Sequence, residues 1–484
     1  MQKTYLKLQD TTVLEFNTQE GYFNVLEPAL LPYILKDRVV SSQNDYKQGI
    51  KNQTALLDFF STRSLSVKRE NAKEILNAMN ISQKNGYETK YKMMILCKAL
   101  STSDDYWITN NKTEQWKDVN VRKNPLHNTI AQIALSGKNL TITGRIRTPE
   151  LTGQGAYAKA WFRDDDNLYL YKANTKNGHE AEIEVSVSNI LDCTNVPHVK
   201  YELEKKENRI TSKCKNICTD QLSIVDADDV YNWCSRTGLS FNNFAEKINS
   251  NLYYQTIVVD YLISNSDRHG GNWGFYVNNK TGNIIDIHPL YDHNNAFNEQ
   301  LMEDEFGGNS LMIRNKTQKE AAQYAIKKCE FSFTKEITEE MFFSEKMYVS
   351  FCNRAVELGL MEEIEPTLLQ KLKIKPYAQY KTIVNEEISD INYYENLEKN
   401  LANDTYKWQK ENQYSKSEAD IMEEIVTQND INLSTCYKKD DRAERKTLSQ
   451  HSDNFGDERL YSEETPYEKE IEQKYEEIWD IEDR

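Results

Sequence analysis

A chain of 484 residues is long enough for two to four domains with a substantial core, and its 38% hydrophobic and 28% charged residues suit a soluble protein with some poorly packed polar segments. The 11% aromatic share, with 29 Tyr, excludes wholesale disorder, because disordered chains lack large apolar groups. Sixty basic against 76 acidic residues leave a net charge of −16, which disfavours general binding to phosphate backbones, so no direct nucleic-acid contact is expected.

The opening "MQKTYLKLQDTTVLEF" has no apolar h-region, so no secretory signal is expected. No uncharged apolar run approaches the roughly 18 residues of a membrane span; the best, "TIVVDYLI", is short and broken by Asp260, so no membrane insertion is expected. Eight irregularly spaced cysteines read as reduced thiols, and Cys214 and Cys218 lack a second ligand pair for zinc. A cytoplasmic location follows as the expectation.

In chain order, "TVLEF" and "YFNVLE" alternate as short strands. "SLSVKRENAKEILNAMN" reads as a helix capped by Ser66, with Val67, Ile75, Leu76 and Met79 near one face. After the polar "DDYWITNNKTEQWKDV", "TIAQIAL" is a further helix, and a soft boundary near Gly137 closes an α+β extension over residues 1–137. From Leu140, "LTITGRIRTPELTGQGAYAKAWFRDDDNLYLYKAN" reads as strand, glycine turn, strand, Asp-rich turn, strand. "EAEIEVSVSNILD" follows as a helix with Ile183, Val187, Ile190 and Leu191 on one side. Residues 241–263 are helical and lead into "SNSDRHGGNWGFYVNNKTGNIIDIHPLYDHNNAF". "TQKEAAQYAIKKC" and "EKMYVSFCNRAVELGL" are amphipathic helices. Residues 376–484 are polar and acidic, with partial order expected. In "TPYEKEIEQKYEEIWDI", Thr465 as N-cap, Pro466 at the first position and Glu468 as capping-box acid start a helix over about 466–481.

The chemistry gathers around residues 264–297. "WGFYV" and "NIIDI", joined by the turn "NNKTG", read as a hairpin, whose outer ends meet. Asn272 enters the first strand, Asp292 lies past the second, and Asp267 comes off the preceding helix into the same neighbourhood. Hard oxygen ligands of this kind suit Mg²⁺, which takes one or two carboxylates and completes its shell with water and phosphate. Phosphoryl transfer uses such a set, with a carboxylate orienting the attacking hydroxyl, and "DRHGGN" has the D-x-x-x-x-N spacing of a kinase catalytic loop. A lone match of this spacing is weak, but upstream parts appear in order. A glycine turn with Gly153 and Gly155 is able to bring backbone N–H groups to phosphate. Lys172 lies on the strand "LYLYKAN", and Glu182 or Glu184 on the next helix are candidate partners for it.

"SDRHGGNWGFY" with "IHPLYDHNNAF" resembles the HipA-like kinases, whose fold is related to protein kinases and phosphatidylinositol kinases. The resemblance spans about residues 140–360, with "PLYD" standing in for the metal-binding DFG turn. The preceding residues resemble the N-terminal extension of single-chain HipA-like proteins from low-GC Gram-positive bacteria. It implies a bilobal α+β fold over residues 138–375, with a β-rich N-lobe (about 138–235), a mainly helical C-lobe (about 236–375) and the polar tail beyond. It also implies ATP and Mg²⁺ as cofactors, Asp267 as catalytic base, Asn272 and Asp292 as Mg²⁺ ligands, Lys172 on the α/β-phosphates and Glu184, rather than Glu182, as its partner. The acceptor implied is a protein Ser/Thr, and some members are toxins restrained by a small DNA-binding antitoxin, so such a regulator is a candidate partner. The triplet Asp267-Arg268-His269 has the form seen in phosphatidylinositol kinases, which keeps a lipid or small-molecule acceptor open. It places Arg268 and His269 among the catalytic candidates, His269 either sharing the base role or serving as a structural ring. A non-catalytic kinase-like module is the third reading, and Thr152 in the glycine loop is a candidate for self-phosphorylation.

Overall fold

Short alternating runs separated by tight turns pair with their neighbours at the start of the chain. β1 (Thr4–Leu8), β2 (Thr11–Asn17), β3 (Tyr22–Val25) and, after three helices, β4 (Tyr106–Thr109) form an antiparallel sheet in the order β3-β2-β1-β4. These coordinates belong to a computed structural model that describes residues 3–43, 45–81, 87–142, 147–153, 155–164 and 167–362. β1 escapes the sequence pattern because Lys7 is buried inside it, its ammonium donating to the Glu114 carbonyl at 2.8 Å. The helices are α1 (Tyr46–Ser61), α2 (Ala72–Ala78), α3 (Tyr87–Cys97) and α4 (Asn128–Ser136). α2 begins later than the pattern suggests. Asn71 takes φ 64° and donates to the Ala134 carbonyl, Ser66 closes only a local turn onto the Lys68 N–H, and Val67 is exposed.

The next sheet holds β5 (Lys159–Asp164), β6 (Asn167–Ala173), β7 (Tyr201–Lys206) and β8 (Arg209–Lys215) in the order β5-β6-β8-β7, with α5 (Glu180–Leu191) packed on β7 and β8. The strand expected from Leu140 is absent among the described residues there, and residues 143–146 lie outside them. One hydrophobic core runs from Leu6 through Phe59, Ile75 and Ile133 to Ala160 and Tyr171, so it is continuous across Gly137.

The remaining lobe is mostly helical: β9 (Leu222–Asp226), α6 (Ala227–Thr237), α7 (Phe241–Leu262), β10 (Gly274–Asn278), β11 (Ile284–Ile287), α8 (Glu299–Glu303), α9 (Gln318–Ala325) and α10 (Glu345–Glu357). β10 and β11 form the expected hairpin, β9 pairs on the other edge of β10, and α6 joins α7 in a second core. α7 kinks at Asn249, whose side chain accepts from the Leu252 N–H at 2.9 Å and donates to Asp286 on β11 at 2.7 Å, restarting the helix and tying it to the hairpin. The extension also reaches this lobe: Arg236 donates to the Tyr33 carbonyl, Trp233 to Asp37, and Lys36 to the Gly282 carbonyl at the hairpin turn. The architecture is therefore α+β and bilobal in the kinase-like manner, a β-rich lobe over a helical one. No helix among the described residues is long and apolar enough to cross a membrane. The expected helix near 466–481 lies outside the described residues.

Candidate active site

α7 ends at Leu262, and the loop that follows is built around one arginine. Arg268 is 2% exposed. Its Nε donates to both carboxylate oxygens of Asp260 on α7, at 3.0 and 3.2 Å. Nη1 donates to the carbonyls of Asn272 and Tyr291 at 2.6 and 2.9 Å, and Nη2 lies 3.0 Å from His293 Nδ1. A guanidinium presents five donors in a fixed plane, so this one side chain straps the helix, the loop and the segment beyond the hairpin together. Arg268 therefore faces inward as a positioning residue. Of the expected catalytic candidates, Arg268 is the one that is buried and held by Asp260, Asn272, Tyr291 and His293 rather than lining the cleft.

Asp267 sits at the cleft edge, half-buried. Its Oδ2 accepts from Asn272 Nδ2 at 3.2 Å and from Asn295 Nδ2 at 2.8 Å, and its carbonyl accepts from Asn272 Nδ2 at 2.8 Å. His269 is exposed, its Nδ1 accepts from the Gly271 N–H, and its Nε2 lies 3.6 Å from Asp267 Oδ1, beyond direct hydrogen-bond reach. Because the amide nitrogen of Asn272 is committed to Asp267, its carboxamide oxygen is the atom offered as a ligand.

Across the cleft, Lys172 Nζ lies 2.7 Å from Glu184 Oε1 and 2.7 Å from Asp292 Oδ1. Ser212 donates to the other Glu184 oxygen at 2.6 Å, which fixes that carboxylate. Glu182 turns away to Asn174 at 2.7 Å, so of the two glutamates it is Glu184 that meets Lys172. Burial opposes charge on Lys172, but Asp292 and Glu184 outweigh it and hold the ammonium above its ordinary range. Burial likewise opposes charge on Asp292, and Lys172 with Lys159 outweighs it, holding the carboxyl at about 2. Asp292 is thus a firm anion, held next to the Tyr291 carbonyl that Arg268 fixes.

Lys159 is the residue that sequence reading missed. It opens β5 directly opposite Lys172 in the β5–β6 register. Burial, reinforced by Arg69, lowers its ammonium to about 8. Gly155 crosses above it at φ 99°, a backbone conformation that favours glycine, and an added Cβ would come within 2.7 Å of the flexible Lys159 Nζ, which would have to shift. Hairpin register counted outward from the Asp-rich stretch, Asp164 opposite Asn167 and so Lys159 opposite Lys172, was the available signal. Gly153 packs on Arg69, an extension residue paired with Glu150 at 3.0 Å. Thr152 is buried and donates to the Leu100 and Pro149 carbonyls at 2.7 and 2.9 Å, which withdraws it as an accessible phosphorylation site.

These groups line one cleft of about 620 Å³, a size suited to a nucleotide-scale ligand. Gly153, Gly155, Lys159 and Lys172 bound it from the β-rich lobe, and Asp267, His269, Asn272 and Asp292 from the helical lobe. Leu170, Val199, Tyr201 and Ile217 add apolar wall, and Arg63, Asp104 and Tyr106 bring the extension to its rim. Among the described residues no group of three or more His, Cys, Asp and Glu holds a metal by itself. A Mg²⁺ ion that completes its shell with water and phosphate needs fewer protein ligands, and the oxygens of Asn272 and Asp292 are of the right chemistry.

No family model matches the sequence, and no curated protein matches it. Among solved structures it is similar to the proinflammatory kinase CtkA of Helicobacter pylori, at 16% identity over 42% of this chain and 92% of that one, with a TM-score of 0.28. It is also similar to HipA of Shewanella oneidensis MR-1, solved as a toxin–antitoxin complex with HipB and operator DNA. There the identity is 12%, the coverage 76% of this chain and 93% of that one, and the TM-score 0.40. Likenesses this distant leave the roles of the side chains to their geometry.

Proposed function

We propose that the chain is an ATP- and Mg²⁺-dependent phosphotransferase whose acceptor is a protein serine or threonine hydroxyl. The observation that carries this reading is Lys172, bridging Glu184 and Asp292 at 2.7 Å each although Asp292 lies 120 residues away in the chain. In phosphoryl transfer the protein chiefly positions groups and stabilises charge. Lys172, fixed by Glu184, contacts the α/β-phosphate oxygens, and Lys159 offers a second cation beneath the glycine loop. Asn272 and Asp292 would hold Mg²⁺, which would supply neutralisation of phosphate charge. Asp267 takes its place below, where Oδ2 is occupied by two amide donors and Oδ1 is left to orient the acceptor hydroxyl and receive its proton.

A lipid or small-molecule acceptor rested on Arg268 and His269. With Arg268 turned into the core, only the exposed His269 supports it. A toxin role and an antitoxin-type regulator are proposals carried by the sequence resemblance. Incubation with labelled ATP and Mg²⁺, alone and with cell lysate, tests the reading. Label is expected on protein, and Asp267→Asn should lower transfer by roughly 10²–10⁴ while keeping nucleotide binding. Asp292→Asn should instead abolish Mg²⁺-dependent ATP binding. Undiminished turnover in both variants overturns the assignment; label in the lipid fraction redirects it, and no label favours a binding module.

A further inference from the structure

The turn that precedes α2 lies along both stems of the glycine turn. The Leu65 N–H donates to the Leu151 carbonyl at 2.7 Å, and the Glu70 N–H donates to the Ala156 carbonyl at 2.8 Å. Between these two contacts lies Arg69, only 3% exposed. Its Nη1 donates to the Glu150 carbonyl at 3.3 Å, and Nη2 donates to Glu150 Oε2 at 3.0 Å and to the Lys159 carbonyl. The other Glu150 oxygen accepts from the Trp161 N–H at 2.8 Å, so the carboxylate is fixed to β5 in turn. Glu150 precedes the glycines and Lys159 follows them, so one side chain of the extension ties the two stems together. Gly153 leaves room for it, since an added Cβ there would come within 2.9 Å of Nη1.

We propose that Arg69 is a positioning residue for the phosphate end of the cleft: its guanidinium sets the spacing of the two stems and with it the place from which Lys159 meets phosphate. The proposal rests on the phosphotransferase reading, and it makes the extension part of the nucleotide site. A planar fork can donate to acceptors on two stems at once, whereas an ammonium is a single point of charge. Charge follows the same contacts. Burial disfavours the Lys159 ammonium, Arg69 and Lys172 add to that, and Asp292 and Glu150 oppose it. Removing the Arg69 charge should therefore raise the pH at which Lys159 loses its proton, and neutralising Glu150 should lower it.

Two measurements on the full chain test this. In calorimetric titration at neutral pH, Arg69→Lys is expected to weaken ATP binding on the order of tenfold, because the retained charge no longer spans both stems. Affinity equal to that of the wild type overturns the positioning role. The second measurement needs neither ATP nor turnover. Acetic anhydride reacts with the neutral amine, so labelling of Lys159 as a function of pH, read by mass spectrometry, follows its protonation. In the wild type the midpoint is expected at about 8. It should move up in Arg69→Gln and down in Glu150→Gln, a near-isosteric change that keeps an acceptor oxygen for Arg69. Unmoved midpoints, or shifts in the same direction, overturn the coupling to Lys159. Thermal unfolding of the same samples shows which variants are folded, and Glu150→Gln decides alone if Arg69→Gln is not. If the wild-type chain takes up no ATP, the phosphotransferase reading fails instead, while the midpoints still decide whether Arg69 and Glu150 set Lys159.

Discussion

Lys172, which lines the cleft, and Arg268, buried behind it, are cations in opposite lobes, and their surroundings differ. Lys172 stands between two carboxylates, Glu184 and Asp292, with Lys159 close enough to act on Asp292. Arg268 meets one carboxylate, Asp260, and spends its other donors on carbonyls and a neutral ring. A wall of alternating full charges responds strongly to a highly charged ligand, since each partner can be exchanged for a phosphate or a metal. A guanidinium saturated by carbonyls has nothing to exchange. On the proposed phosphotransferase reading the upper wall would recognise the nucleotide, and the lower wall would keep Asp267 and Asn272 in register.

Removing the scaffold is expected to give the largest effect on folding. Arg268→Met leaves the buried Asp260 without its counter-ion, with Asn265 as its remaining side-chain donor, and frees two carbonyls, a loss of roughly 3–5 kcal/mol by analogy with broken buried pairs. Denaturant unfolding measures it. Burial already pushes the Asp260 carboxyl up against the pull of Arg268. Without the arginine it rises further, and a carboxyl raised on folding favours the folded state only where it is protonated. The deficit should therefore shrink as pH falls. A variant as stable as the wild type would remove the contrast between the walls.

A smaller effect is expected above. Glu184→Gln keeps the Ser212 contact and the shape but deletes one charge beside Lys172. It should cost about 1–3 kcal/mol in stability. Because Asp292 still holds Lys172 at 2.7 Å, the ammonium shifts toward Asp292 rather than becoming unpaired. The KM for ATP should rise more than kcat falls, since Asp292 then competes with phosphate for the same cation. A fall in kcat with KM unchanged would mean that Glu184 acts in the transition state rather than in binding.

The sequence reveals the lower wall more fully than the upper one. The D-x-x-x-x-N spacing, the hairpin and the later Asp are local and ordered, so the placing of Asp267, Asn272 and Asp292 along one cleft is legible from turns and strand lengths. Arg268 was misread because chemistry was assigned to a loop residue by its neighbours, whereas its fate is decided by Asp260, eight residues back on α7. In the upper wall the choice between Glu182 and Glu184 depends on Ser212 and Asn174 arriving from other elements, and no local pattern contains that. β1 and the late start of α2 escaped for the same reason: Lys7 and Asn71 are satisfied by carbonyls more than sixty residues away, Glu114 and Ala134. The core that joins Leu6 to Tyr171 is equally non-local.

The finest test of the upper wall is Lys159, whose value of about 8 lies below the ordinary 10.5 because burial, with Arg69, disfavours its charge. Between those two values the unfolded chain binds the extra proton and the folded chain does not, so stability rises with pH across that window. Nucleotide affinity has the opposite sign. Phosphate requires the charged ammonium, so ATP binding should weaken as pH climbs above about 8, by up to about tenfold per unit if one proton is taken up on binding. Lys159→Met should flatten both trends: weaker but pH-independent binding, and no gain in stability over the wild-type window. Calorimetric titration of ATP, with thermal unfolding on the same samples, measures the pair. If both curves keep their slope in the variant, Lys159 lies outside the recognition wall, and Lys172 acts there with Asp292 and Glu184 alone.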